Sequence, residues 1–135
     1  VYAQQLVHFS DRWRGYAGVR GDALRYGVHG REPRYGALNG GRGNDATVSP
    51  KFGMAFTPAA SHELYLNAGV GFHSNDVRGA TIAIDPKTGD PADRVPVLVK
   101  GRGAEVGWRF QPGEDLTATL AWWRLGLDSE LVYTG

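Results

Sequence analysis

Every second residue from Leu64 to Phe72 is apolar: Leu64, Leu66, Ala68, Val70 and Phe72. The residues between and beside them, Glu63, Tyr65, Asn67, Gly69, Gly71 and His73, are polar or nearly bare. A period of two marks an extended strand with one apolar face. What covers that face decides the kind of protein. Protein on it makes an ordinary soluble sheet. Lipid on it makes the wall of a closed barrel, the one strand architecture that crosses a bilayer.

The same period dominates the rest of the chain, and a 3.6-residue period is hard to find. Six strands are predicted, at about 1–9, 13–26, 48–57, 62–74, 100–111 and 116–133. In the second, Trp13, Ala17, Val19 and Ala23 alternate with Arg14, Tyr16, Arg20 and Asp22. In the third, Phe52, Met54 and Phe56 alternate with Lys51, Gly53 and Ala55. In the fifth, Ala104, Val106, Trp108 and Phe110 alternate with Glu105, Gly107 and Arg109. The sixth, "LTATLAWWRLGLDSELVY", has large apolar residues on both faces, so its sides stay unassigned.

The connections alternate in length. Those at 10–12, 58–61 and 111–115 are short and turn-like, whereas 28–47 and 75–99 are long and rich in Gly, Pro, Asp and Arg. Long structureless loops are uncommon in compact soluble domains. Short turns at one end and long loops at the other are the rule for outer-membrane barrels. Phe9, Trp13, Phe56 and Phe110 all fall beside the short turns, as an interfacial aromatic girdle requires. Residues 62–72, at roughly 3.3 Å rise and about 45° tilt, cover about 25 Å, close to the height of such a barrel's apolar band. A soluble β-sandwich or barrel remains the alternative, with 28–47 and 75–99 as binding loops.

Composition excludes several classes. The 15 basic and 14 acidic residues are interspersed at a net charge of +1, which gives no footprint for nucleic acid. There is no Cys, hence no disulfide framework and no thiolate metal site. No apolar run is long enough for a transmembrane helix. No signal peptide is visible at the "VYAQQLVHF" start.

Four motifs, in order, carry a family likeness: Ser49-Pro50-Lys51, Gly71-Phe72-His73-Ser74-Asn75, Ala104-Glu105-Val106-Gly107 and Ser129-Glu130-Leu131-Val132. With their turns and loops they resemble the C-terminal β-barrel of TonB-dependent outer-membrane receptors over residues 48–135. Residues 1–47 fit as the preceding hairpin and loop. The resemblance implies an all-β, antiparallel up-and-down meander of about six strands, part of a large transmembrane barrel of the 22-stranded type. Six strands cannot close such a barrel, so 1–135 is expected to be one partial barrel domain of a larger receptor. The plug domain and the segment that engages TonB would lie elsewhere in that receptor. The implied setting is the bacterial outer membrane. The implied partners are its lipid, the plug, TonB, and a small molecule or metal chelate such as a ferric siderophore, taken up by an energised route. The short turns would be periplasmic and the long loops extracellular.

Ligand contacts are expected from the long loops and the lumen. In the first loop lie Arg31, Arg34, Tyr35, Arg42 and Asp45; at the second lie His73, Asn75, Asp76 and Arg78. Arg and Tyr suit an anionic chelate through charge-assisted bonds. His73 is the lumen candidate at the loop end of the fourth strand. The plainer reading of each loop residue is a solvated side chain. Asp85, Asp90 and Asp93 have the oxygen chemistry for Ca²⁺ but match no EF-hand pattern, and a solvated turn is the plainer reading. No His pair has ligand spacing, the glycine runs precede no helix that would bind phosphate, and no Ser sits in a nucleophile elbow. No catalytic residue, metal or cofactor is therefore expected.

Overall fold

The computed structural model describes residues 1–128. Its strands are β1 (Tyr2–His8), β2 (Trp13–Val28), β3 (Gly41–Ala59), β4 (His62–Ser74), β5 (Leu98–Phe110) and β6 (Ala118–Leu127). They form one six-stranded sheet in chain order, the meander expected from the alternation. The ladders β1–β2, β3–β4 and β5–β6 are antiparallel. The predicted strand bounds hold within about two residues for β1, β2, β4 and β5. The motif at Ser129–Val132 and the end of the sixth predicted strand lie outside the described residues.

One strand departs from expectation. β3 starts at Gly41, not near 48, so Arg42 and Asp45 stand on a strand and not in a loop. The stretch "GRGNDAT" is too polar to show an apolar stripe. A ladder needs only backbone groups, and a strand that leaves the apolar band no longer needs an apolar side. Two short helices also interrupt the long connections, α1 (Gly36–Asn39) and α2 (Val77–Thr81). Neither is long enough to register as a 3.6-residue period.

The chain divides into two compact units. The first comprises Val1–Gly21, Val48–Gly71 and Gly101–Leu127, the short-turn portions of the strands. In β3 and β4, Phe52, Met54 and Phe56 stand opposite Ala68, Leu66 and Leu64, and Gly53 and Ala55 stand opposite Asn67 and Tyr65. The two faces are thus cleanly sorted. The apolar face is the open one: Leu64, Leu66 and Val106 are each more than two-fifths exposed. Tyr65, Asn67 and Glu63, on the polar face, are half-buried. A soluble sheet has the opposite sense, because burying apolar surface is what drives its folding.

Pairing also sorts β6. Leu120 and Trp122 stand opposite Trp108 and Val106 on the apolar face, while Trp123 stands opposite Glu105 on the polar face. On the apolar face, the aromatic side chains by the short turns stack. The Trp13 and Phe56 rings are 4.4 Å apart. The His62, Trp108 and Phe110 rings cluster with centroids 4.8–5.9 Å apart, and Trp108 Nε1 donates to His62 Nδ1 at 3.0 Å.

The second unit comprises Asp22–Thr47, Phe72–Lys100 and, among the described residues, Asp128. Its buried residues are Gly36, Thr47, Asn75, Thr81, Val97 and Val99. With Ala55 of the first unit, Val97 and Val99 are the buried hydrophobic side chains among the described residues. So small an apolar core would not hold a soluble domain of this length together.

Candidate functional site

In the first unit the polar face carries a connected network. Glu63 bridges two cations: Arg14 donates to one carboxylate oxygen, and Arg109 Nη1 donates to the other at 3.0 Å. The Glu63 side chain is only 16 % exposed, so its charge needs both partners. Tyr65 Oη donates to Glu105 Oε1 at 2.8 Å, and the Arg109 guanidinium lies 5.7 Å from the Tyr65 ring centroid. Tyr16 Oη donates to Asn67 Oδ1 at 3.3 Å. Lys51 Nζ sits over the Tyr2 and Tyr16 rings, at 5.0 and 5.6 Å. Except for Lys51 and Tyr2, these groups border an open cavity of about 330 Å³.

Glycine makes room for the tyrosines. A Cβ on Gly53 would stand 2.3 Å from Tyr16 Cε1, and one on Gly107 would stand 2.2 Å from Tyr65 Cζ. In the second unit Tyr26 lies over Gly43 in the same way. Each ring crosses a bare backbone on a neighbouring strand. That explains why glycines that would weaken an ordinary strand recur on this face.

The second unit holds the expected ligand candidates. Arg31 and Arg34 are exposed. Arg34 lies 6.0 Å from the centroid of the Tyr35 ring, whose hydroxyl is packed against Gly89, the residue with φ of 83°. Glu32 shapes this turn: its carboxylate accepts from Arg34 N at 2.8 Å and from Tyr35 N. Those backbone bonds, Arg34 first, hold the Glu32 carboxyl below its ordinary range.

Asn75 is buried, donates from Nδ2 to Pro96 O at 3.0 Å and takes Val97 O with its own N–H. Asp76 caps α2, accepting from Arg78 N at 2.9 Å and from the Arg78 guanidinium. The guanidinium first, then the backbone N–H, lowers the Asp76 pKa. His73 is half-buried near the end of β4. The candidates therefore group as Arg34 with Tyr35 and as Asp76 with Arg78, and Asn75 ties the chain to 96–97.

Sequence reasoning missed Asn39. Its Nδ2 donates to Ile84 O at 2.8 Å, its Oδ1 accepts from Ala83 N and Ile84 N at 2.9 Å each, and its O accepts from Thr81 Oγ1 at 2.9 Å. It also left Glu63 and Glu105 as mere polar positions, although their alternation with apolar neighbours was visible. Asp85 accepts from Lys87 N at 2.7 Å, and its N–H donates to Asp90 O at 2.8 Å, within a turn closed by the bridge Ile84–Pro91. Among the described residues no three His, Asp or Glu converge as metal ligands.

A connected polar network, an exposed apolar face and aromatic stacks at the short turns define the wall of a transmembrane β-barrel. Comparison with known families agrees: the TonB dependent receptor-like β-barrel model matches residues 1–135. The chain belongs to the TonB-dependent receptor β-barrel family. Membership places it in the bacterial outer membrane, in a family of transporters and not of enzymes, with the plug and TonB as its setting. It also decides between the two readings of the apolar face in favour of lipid. A search among curated proteins finds no match.

Proposed function

We propose that this chain is one arc of the barrel wall of a receptor that takes up a scarce solute, such as a ferric siderophore, with energy delivered through TonB. The arc faces lipid with Leu64, Leu66, Val106 and Trp108 and the lumen with Arg14, Glu63, Tyr65 and Arg109. Its short turns lie in the periplasm and its long connections outside the cell. The further strands, the plug and the TonB-engaging segment belong to other parts of the receptor.

The observation that carries this reading is the inside-out sheet: ion pairs and hydrogen bonds among half-buried side chains on the polar face, exposed aliphatic and aromatic side chains on the other. An open sheet with β1 and β6 as its ends would leave unpaired backbone groups in lipid, which supports further strands in the barrel. Arg31, Arg34 and Tyr35 are the proposed ligand contacts outside the cell. His73 takes the lumen position, and Asn75, Asp76 and Arg78 shape the loop that flanks it.

The test is uptake of radiolabelled ferric siderophores by iron-starved cells with and without the receptor gene. Loss of uptake of one chelate, and the same loss on removal of TonB, is the expected result. A receptor-deficient strain that takes up every iron chelate normally, yet loses another solute, would replace the siderophore with that solute. Arg34→Ala with Tyr35→Ala should weaken ligand binding without lowering receptor abundance.

A further inference from the structure

Arg34 and Tyr35 lie on a stretch that the chain closes on itself. Gly30 and Gly36 meet there: a Cβ on Gly36 would stand 2.7 Å from Gly30 O, and one on Gly30 would stand 2.0 Å from Gly36 O. α1 starts at that crossing. It is a single turn of 4 residues, and Tyr35 at its N-cap makes no capping bond with its side chain. A turn this short does not hold itself in water.

A hairpin of the 75–99 connection lies along α1. Residues 83–92 form it, through Ala92 N to Ala83 O at 3.0 Å, the bridge Ile84–Pro91, and Asp85 N to Asp90 O at 2.8 Å. Its base takes the C-terminal end of α1, because the Asn39 side chain bonds Ala83 N, Ile84 N and Ile84 O. Its tip takes the N-terminal end. Tyr35 Oη is 2.9 Å from where a Cβ on Gly89 would stand, and Gly89 has a φ of 83°, which side chains rarely adopt. Gly89 N is itself held, donating to Asp85 O at 2.8 Å. Between the two contacts, Asn39 N donates to Tyr35 O at 3.0 Å. Both ends of one helical turn are thus fixed to one hairpin.

The hairpin has its own anchors. Val95 N donates to Gly79 O at 3.1 Å, Arg94 Nε donates to Ile82 O at 3.3 Å, and Leu98 N donates to Asp45 Oδ2 of β3 at 3.2 Å. The Tyr35 ring is therefore tied through 83–92 to α2 and to the sheet. Arg34, 6.0 Å from that ring, shares its placement. A side chain set in place beforehand loses less freedom when a ligand arrives, and that raises affinity without a new contact.

We propose that the 83–92 hairpin sets Arg34 and Tyr35 for ligand before any ligand arrives, with Asn39 and Gly89 as positioning residues at its two ends. This rests on the reading of Arg34 and Tyr35 as ligand contacts. The test replaces Tyr35 by 3-fluorotyrosine in the full receptor in nanodiscs and reads the fluorine resonance without ligand. Wild type should give one narrow line away from the position of a free peptide. Asn39→Ala removes the fixing point far from the ring and should broaden the line or move it toward that position. Gly89→Ala should move it as well, and Lys87→Gln, in the same hairpin but at neither fixing point, should not. A wild-type line already at the free-peptide position, or an unmoved line in Asn39→Ala, overturns the proposal. Ferrichrome and ferric enterobactin are then the binding probes. Asn39→Ala should weaken whichever chelate binds by about tenfold, the cost of ordering one or two side chains on binding. Adding it to Tyr35→Ala should cost nothing more. Weakening in Tyr35→Ala with none in Asn39→Ala overturns the positioning role. Weakening in neither removes Tyr35 as a ligand contact, and a line that still moves in Asn39→Ala places that failure in the ligand reading and not in the hairpin. If wild type binds neither chelate, the siderophore reading falls, and the fluorine line alone decides whether the hairpin holds Tyr35.

Discussion

Two hydrogen bonds join the Asn39 side chain to Ile84: Nδ2 donates to Ile84 O at 2.8 Å, and Ile84 N donates to Oδ1 at 2.9 Å. The amide group pairs with that backbone as a second strand would. With Ala83 N on the same oxygen, one side chain fastens the end of α1 to the segment after α2. Asn39→Ala should leave one carbonyl and two N–H groups of 83–84 without partners, a local cost of about 1–3 kcal/mol. Hydrogen exchange at Ala83 and Ile84 should speed up while the strand amides keep their protection. Asn39→Asp keeps the two accepted bonds and loses the donated one, so it should fall between.

Glu63 has a carboxylate oxygen for each of Arg14 and Arg109. Glu63→Gln removes the charge that holds two cations side by side. Because both guanidiniums are more than a third exposed, the expected loss is small, about 1 kcal/mol. It should appear as a lower urea midpoint of the folded receptor, and adding salt should narrow the gap to wild type. A gap that persists unchanged in high salt would mean that packing, not charge, holds this corner.

Tyr65 and Gly107 should behave as one unit. Gly107→Ala places a Cβ 2.2 Å from Tyr65 Cζ, so the ring must leave and its bond to Glu105 breaks. The expected loss is about 1–3 kcal/mol, as for other overpacked sites. In the Tyr65→Ala background the same substitution should cost little. A double-mutant cycle on unfolding midpoints reads the coupling directly. Strict additivity would show that the ring and the glycine are independent.

The Asp76 cap gives a pH prediction for α2. Its folded pKa is lowered by the Arg78 guanidinium and N–H. A lowered carboxyl contributes stability that is present above its unfolded value and is lost as pH falls through the folded value. Protection of the Arg78 and Ile82 amides should therefore be constant near neutrality and drop only in acid, below the ordinary carboxylate range. Asp76→Asn should flatten that dependence. A loss of protection already near neutral pH would point to a different group.

Much of this was legible because strand alternation is fixed by backbone geometry. From Leu64 to Phe72 and from Ala104 to Phe110, the side a residue takes follows from its position alone, and Trp13, Phe56 and Phe110 were legible as aromatics beside the short turns, although their stacking was not. The start of β3 was not legible, because Arg42 and Asp45 stand where the strand has left the apolar band and water is acceptable on either side. The Asn39 bonds were hidden for another reason. They join residues 45 apart through a backbone oxygen and a backbone N–H, and backbone groups leave no mark in a sequence. Glu63 showed its face but not its partners, since Arg14 and Arg109 lie 49 and 46 residues away. β6 needed its pairing with β5, because Trp122 and Trp123 are equally apolar and only the register separates them.

The face assignment of β4 has a direct test in adjacent positions. Val70 is on the lipid-facing side, two residues beyond Ala68, which pairs with Phe52. Gly69 is on the lumen side opposite Lys51. Val70→Arg puts a charge against hydrocarbon, at about 2–4 kcal/mol near the middle of the bilayer. Receptor carrying it should fail to accumulate as heat-modifiable barrel in outer-membrane fractions. Gly69→Ser adds a small polar group in the hydrated lumen. Its Cβ would stand 3.3 Å from Lys51 Cβ and from Pro50 O, so the neighbours must yield by a few tenths of an ångström. Assembly should be close to wild type, with a slightly lower melting point. If the two variants assemble equally well, the apolar side of β4 does not face lipid.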